Sequence, residues 1–395
     1  MVARIVILSG VFGLVLATAA TASAQAGPVS SGRMESTSGA GTGPTVYVLR
    51  PGGPPHSFPG ALIPVQTATG TVGKPVTVGL GARNMAITPN GKTIYVVNTH
   101  SVSVTPIDTA TNTRGKGIKL TGAQPARIAI TPNGRTAYVG DANRGIVTPI
   151  DIATSKAGRP IAVPGFANQI VITPDGRTAY VMDGNDSPGL VTPVNTATNT
   201  TGTPIKVGDF PSAMAITPDG RTLYVANAGS DSVTPIDTAT NAAQPPIPVQ
   251  QFPSTIAITP DGRTAYVGSF SSQGVTPVNT ATNTAGPLIV THRVTEAITV
   301  TADSKTAYIV AQGHQSAVIP IDTATSTMGT PIRAGNAPIA MVITPDGTTG
   351  YVLNSGFGVP GAASVSPVDL ATGTAGKPIT VVGRLSHPVA MLIKP

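Results

Sequence analysis

Acid–base chemistry in this chain has few residues to draw on. Its 395 residues include two glutamates, Glu35 and Glu296, five histidines and no cysteine. The missing thiol excludes disulfides, thiolate zinc sites, iron–sulfur clusters and cysteine nucleophiles. Glu296 lies between His292 and His314. A carboxylate with two imidazoles can bind a divalent metal and supply a general base, so these three are the catalytic candidates. No motif calls for a cofactor, and a divalent metal on Glu296 is the one that this set could hold. A calcium loop needs carboxylates at alternate positions with a later glutamate, and that pattern is absent. One glutamate with scattered aspartates is thin equipment for an enzyme, so the sequence leans toward a non-catalytic protein.

A second set suits binding rather than bond cleavage: Arg83, Asn84, His100, Arg127, Asn168, Gln169, Phe210, Phe252 and His387. Arginine recognises anions through a planar fork of donors, and aromatic rings favour interfaces. These residues are far apart in the chain. Only a fold that returns repeatedly to one place could assemble them.

The chain is such a repeat. Its eight tyrosines are Tyr47, Tyr95, Tyr138, Tyr180, Tyr224, Tyr266, Tyr308 and Tyr351, spaced 42 to 48 residues apart. That period is the size of one four-stranded propeller blade. Residues 214–249 show the unit: a strand at Met214–Thr217, a Pro218-Asp219-Gly220-Arg221 turn, and a strand at Leu223–Val225. Strands at Val233–Asp237 and Pro246–Val249 follow. Asp-Gly turns favour hairpins because they supply positive φ angles. The first unit starts at Thr45 without the I-T-P strand of later units, whereas Ala390–Pro395 resembles Ala340–Pro345. A closed ring accounts for both ends, with the C-terminal strand completing the first blade and no sheet edge exposed. An open solenoid would need capping repeats instead. The fold expected is therefore all-β: a closed β-propeller of four-stranded antiparallel blades, eight by count and seven as the alternative.

A proline recurs in every third strand, from Pro64 and Pro106 to Pro367. Proline cannot donate to a ladder, so either the outer strand pairs poorly there or the third strand bulges. The repeated polar residues have structural explanations. Asp108, Asp151, Asp237, Asp322 and Asp369 fit Asx turns. Lys92, Arg135, Arg177, Arg221, Arg263 and Lys305 form a solvated basic ring on one face.

Tyr95-Val96-Val97-Asn98 and Tyr224-Val225-Ala226-Asn227, with the T-P-D-G turns, resemble the YVTN-type β-propeller repeats of secreted and surface-layer proteins. The resemblance spans residues 45–395. Such families are often seven-bladed. The architecture is also similar to lactonase-like and streptogramin-lyase-like propellers, and the latter use a His/Glu/His set with a metal. That likeness implies a fold, since function depends on the site built on it.

Function is expected where the repeat breaks. Chain direction alternates within a blade, so loops between strands two and three share one face with the inter-blade connections. That face receives all five histidines (His56, His100, His292, His314, His387) and six phenylalanines (Phe58, Phe166, Phe210, Phe252, Phe270, Phe357). Residues at the start of each innermost strand should ring the channel mouth: Arg83, Asn84, Arg127, Asn168, Gln169, Ser212, Ser254, Thr255 and Glu296. Arg83 and Arg127 fall on adjacent blades, with Glu296 across the ring, so an anionic or hydroxyl-rich ligand suits the arginine side. Blade seven is the least regular, with Val300-Thr301-Ala302-Asp303-Ser304 in place of I-T-P-D-G.

Charge and termini bound the setting. The net charge of +7 is spread without basic runs, aromatics are 4% and tryptophan is absent. Nucleic-acid binders concentrate charge and add stacking rings, so nucleic acid is not an expected partner. Residues 1–24 read as a signal peptide: Arg4, an apolar stretch from Ile5 to Ala20, and Ala22-Ser23-Ala24 before the cut. Residues 25–44 read as a flexible linker and 45–395 as the propeller. No other apolar run is long enough to span a membrane. The sequence thus describes a secreted or cell-envelope monomer that binds an extracellular or envelope ligand through one loop face. The alternatives are a metal-assisted lyase or lactonase at the channel mouth and a structural cell-surface component.

Overall fold

The computed structural model describes residues 43–52, 58–122, 124–271, 273–313, 315–356, 363–381 and 389–394. The expected leader, most of the linker, His56, His314, Phe357 and His387 lie outside these residues. The described residues contain strands and turns and no helix.

Short β-branched strands separated by tight turns build eight antiparallel sheets, one per blade. Blade five is representative. Its innermost strand Pro211–Ile216 pairs with Thr222–Asn227, which pairs with Ser232–Asp237. Two outer dipeptides, Ala242–Ala243 and Ile247–Pro248, then flank the third strand. The fourth strand expected at Pro246–Val249 is thus only its second half.

The recurrent proline explains the break. Tyr95 stands opposite Pro106, and the Pro106 carbonyl accepts the Gly115 N–H at 2.9 Å. The proline nitrogen therefore faces outward with nothing to donate, and the outer strand cannot pair through that point. The same backbone bond recurs at Pro64, Pro149, Pro193, Pro235, Pro277, Pro320 and Pro367. Of the two explanations open from sequence, weak outer pairing holds. Register shifts fall in the innermost strands instead.

The ring closes as expected. Ala390–Ile393 joins Thr45–Arg50 antiparallel, with Val48 opposite Met391. The core confirms closure independently. Apolar side chains form eight clusters, each bridging two neighbouring blades, and one of them joins blades eight and one, with Val342 and Leu353 packed in the same cluster as Val46 and Val48. An open row of eight blades would make seven such interfaces. Blade count is therefore eight rather than seven.

Blades are also stapled by the tyrosines, through contacts between residues far apart in sequence. Tyr47 donates to Asn112 Oδ1 at 2.9 Å, Tyr138 to Asn199 at 2.7 Å and Tyr224 to Asn283 at 2.6 Å. Each asparagine ends the T-A-T-N stretch of the next blade and takes a left-handed conformation, with φ of 52°, 58° and 53°. Asparagine tolerates that region better than most residues.

On the turn face, the Gly220 N–H closes a four-residue turn on the Thr217 carbonyl at 2.8 Å. Glycine alone takes positive φ there (73°), whereas Asp219 does not. In blade seven Ser304 occupies that left-handed position at 61°, and its hydroxyl accepts the Asp261 N–H of blade six at 2.9 Å.

Candidate functional site

The face opposite those turns is where the repeat breaks. Six innermost strands carry a β-bulge near their start, and the extra residues are Arg83, Ala126, Ser212, Ser254, Glu296 and Ile339. A bulge re-aims a side chain without disturbing the rest of the ladder. One structural slot thus presents six different residues around the ring. Arg83, Asn84, Arg127 and Glu296, expected at the edge of the innermost strands, lie within them.

Several polar residues of the set join blades to each other. Asn84 Oδ1 accepts the Ile128 N–H of blade three at 3.2 Å. Gln169 is buried and uses both ends of its amide on Met214 of blade five, accepting from N–H at 2.8 Å and donating to the carbonyl at 3.1 Å. Ser212 Oγ donates to the Pro253 carbonyl at 2.6 Å. Such bonds satisfy backbone groups on the free edges of innermost strands.

The arginines are different. Arg127 of blade three donates from Nε to the Asn168 carbonyl of blade four at 3.0 Å, which fixes its direction. Burial lowers its pKa to about 10, and the Arg83 charge pushes the same way. Among the described residues, neither forms an ion pair, and Arg83 Nε is buried without a hydrogen-bond partner. Arg50 Nε, at the end of the second strand of blade one, is in the same condition. The four ion pairs of the described residues all belong to the turn face, such as Arg177–Asp175 at 3.7 Å and Arg221–Asp219 at 3.8 Å.

Glu296 of blade seven is partly buried, and burial alone raises its carboxyl pKa. His292 is exposed, has φ of 56°, and donates its backbone N–H to the Gln273 carbonyl at 3.0 Å. No hydrogen bond or ion pair joins it to Glu296 among the described residues, where no three His, Asp or Glu side chains converge as metal ligands. His100 is exposed on the loop after Asn98, its ring against Gly81.

Phe210 and Phe252 stand on the same face, 51% and 47% exposed. Both are left-handed, with φ of 48° and 52°. The corresponding position is Gly81 (φ 66°) in blade two and Ala337 (φ 51°) in blade eight. A bulky residue there costs about 1–2 kcal/mol. Phe252 is held by its N–H to Asp231 Oδ1 at 2.9 Å, and its carbonyl accepts the N–H of Phe270, a third exposed ring. Rings kept outward at a backbone cost are unusual for a merely variable loop.

Sequence reasoning missed the residues that shape this face from below. The sixth position of the second strand holds Asn98, Asn227 and Asn354, all fully buried. Asn98 Oδ1 accepts the Gly79 N–H at 2.9 Å, and its amide donates to Thr105 Oγ1 at 2.9 Å. A Cβ on Gly79, Gly208 or Gly335 would come within 2.6, 2.7 or 2.4 Å of the corresponding asparagine. The signal was present as a glycine nineteen residues before each asparagine, but a lone glycine in a chain with 45 of them does not stand out. Asp141 and Asp183 fill the same position in blades three and four. Burial raises the Asp183 carboxyl pKa, and Asp186 adds to the effect.

Comparison with known proteins agrees with this architecture. A family model described as lactonase, 7-bladed beta-propeller, matches residues 66–242, less than half of the chain. No curated protein matches. Among solved structures, the dihydro-heme d1 dehydrogenase NirN in complex with DHE is similar with a TM-score of 0.74 and 15% identity, over 89% of this chain and 75% of that one. Kuenenia stuttgartiensis hydrazine synthase has a TM-score of 0.54 and 21% identity, over 69% of this chain and 89% of that one. A functionally unknown protein from Desulfotomaculum acetoxidans DSM 771 gives 0.57 and 17%, over 74% and 98%. At these identities the likeness is one of fold. The chain is an eight-bladed β-propeller that shares part of its length with a lactonase-type propeller family.

Proposed function

We propose that this protein is an exported recognition module that binds a ligand from the cell envelope or its surroundings through the bulge-bearing loop face. The observation that carries this reading is the uncompensated arginine pair Arg83 and Arg127, on the same face as the outward phenylalanines. The ion pairs of the described residues all lie on the turn face, and neither of these two arginines takes part in one. Export rests on residues 1–24, and N-terminal sequencing of the mature protein should begin at Gln25.

The reading is tested by immobilising residues 27–395 and passing a solubilised envelope extract over it. Retention should fall at least tenfold in Phe210→Ser/Phe252→Ser and stay unchanged in Arg177→Ser/Arg221→Ser on the turn face. Equal retention by both variants would remove the loop face from consideration.

The family-model match favours a second reading, hydrolysis of a lactone at the same end of the ring. There Glu296, its proton held by burial, would serve as the acid–base group. Release of acid from a simple aldonolactone, lost in Glu296→Gln, would support it. Identical rates with and without the protein would dismiss it.

A further inference from the structure

We propose that Arg83 and Arg127 form a binding site for a small oxyanion, the carboxylate or phosphate group of a soluble ligand, at the loop-face end of the ring's axis. This inference rests on the recognition reading above and gives that face a ligand chemistry.

Four observations converge. Arg83 occupies the bulge slot, where the ladder permits any residue; alanine, serine and isoleucine fill it in other blades. Arg127 is oriented by its Nε bond to the Asn168 carbonyl, which leaves its terminal nitrogens free to address a ligand. The Ile128 N–H bond to Asn84 Oδ1 at 3.2 Å ties the strand positions next to Arg127 and Arg83 together across the blade interface, which puts the two arginines on neighbouring innermost strands. No described carboxylate forms an ion pair with either. Two like charges held together, one of them withdrawn from water, are destabilising unless an anion joins them. Guanidiniums bind carboxylate and phosphate through parallel N–H bonds, and a preoriented pair loses little freedom on binding.

The carboxylates of the neighbouring blades are engaged by loop backbone: Asp141 accepts the N–H groups of Gln124, Asn143 and Arg144 at 2.8–2.9 Å, and Asp183 accepts that of Asn185 at 3.2 Å. Asn84 is occupied by the Ile128 N–H, and Asn168 Nδ2 reaches Asn185 Oδ1 at 3.3 Å. Glu296 lies on blade seven, away from the pair in the ring order. The site is therefore positive on one side of the axis only, which orients an anionic group toward blades two and three.

Calorimetric titration of residues 27–395 with malonate and, separately, with inorganic phosphate tests the proposal at constant ionic strength. Saturable binding of one anion per chain is expected, weakened at least tenfold in both Arg83→Gln and Arg127→Gln and unchanged in Arg221→Gln. Binding of malonate alone would identify a carboxylate site, and of phosphate alone a phosphate site. The unliganded Arg127→Gln protein should melt at or above the wild-type temperature, which separates lost binding from lost folding. Saturable binding that survives both arginine substitutions would overturn the arginine assignment. If it is instead lost in Phe210→Ser/Phe252→Ser, the loop face keeps its role. A weak, non-saturating response, equal in all variants, would overturn the site altogether.

Discussion

The two faces of the ring are built from the same eight repeats and solve opposite problems. On the turn face each T-P-D-G hairpin closes on itself. Thr217 donates to Asp219 Oδ1 at 2.6 Å, the Arg221 N–H reaches the same oxygen at 3.0 Å, and its side chain pairs with the carboxylate in water. Exposed ion pairs of this kind are worth little energetically, but four of the eight turns carry one. On the loop face the same strands end in bulges, left-handed phenylalanines and arginines with no counter-charge. Regularity marks the face that holds the structure, and local cost marks the face on which the proposed binding rests.

The comparison can be broken most severely at ring closure, which both faces share. Removal of residues 390–395 takes the innermost strand from blade one and strips Ala390 and Met391 from two core clusters. The melting temperature should fall by about 10 °C or more. An unchanged melt would mean that the ring does not depend on that strand.

Below the loop face, Asn98→Ala would leave the Gly79 N–H without its acceptor. A loss of about 1–3 kcal/mol is expected in denaturant titration. A neutral result would show that the buried asparagines do not shape the loops above them. Between blades, Tyr224→Phe removes the bonds to Asn283 and the Thr280 carbonyl while keeping the ring in the core. About 0.5–1.5 kcal/mol should be lost.

The faces should differ in sign for residues whose local conformation is costly. Phe210→Asn and Phe252→Asn place a tolerant residue in a left-handed position and should raise stability by up to about 1 kcal/mol while weakening ligand retention. Gly220→Asn on the turn face should give no such gain.

Acid titration offers the smallest effect. Hydrogen bonds from Thr111 hold the Asp108 carboxyl below its ordinary range, as Thr240 does for Asp237. A lowered folded pKa stabilises the fold above the unfolded pKa, and that contribution is lost as pH falls through the folded value. Glu296 runs the other way. Its raised pKa means that stability declines as pH climbs from the ordinary glutamate range through the folded value. Glu296→Gln should abolish that decline in melts taken from pH 4 to pH 7.

The fold was legible because its information is local and repeated. Tyrosine spacing set the blade, and the split first unit set closure. Asp108 and its counterparts are the Asx turns their sequence context indicated. The proline question was not legible, because its answer depends on which way the Pro106 nitrogen points within the sheet. Nor was the division of labour around the axis. Arg83, Asn84, Arg127 and Gln169 all read as channel-mouth polar residues. Only the geometry between blades shows that Gln169 is consumed by Met214 while Arg83 and Arg127 are left without an ion-pair partner. Contacts such as Tyr138 to Asn199 leave no mark in either segment alone.

The central claim is that binding belongs to the loop face at blades two and three. Hydrogen–deuterium exchange with and without saturating malonate tests it most directly. The account predicts slowed exchange in peptides covering residues 79–86 and 124–130, with the T-P-D-G turns unaffected. Protection centred on those turns, or on blade seven, would contradict it.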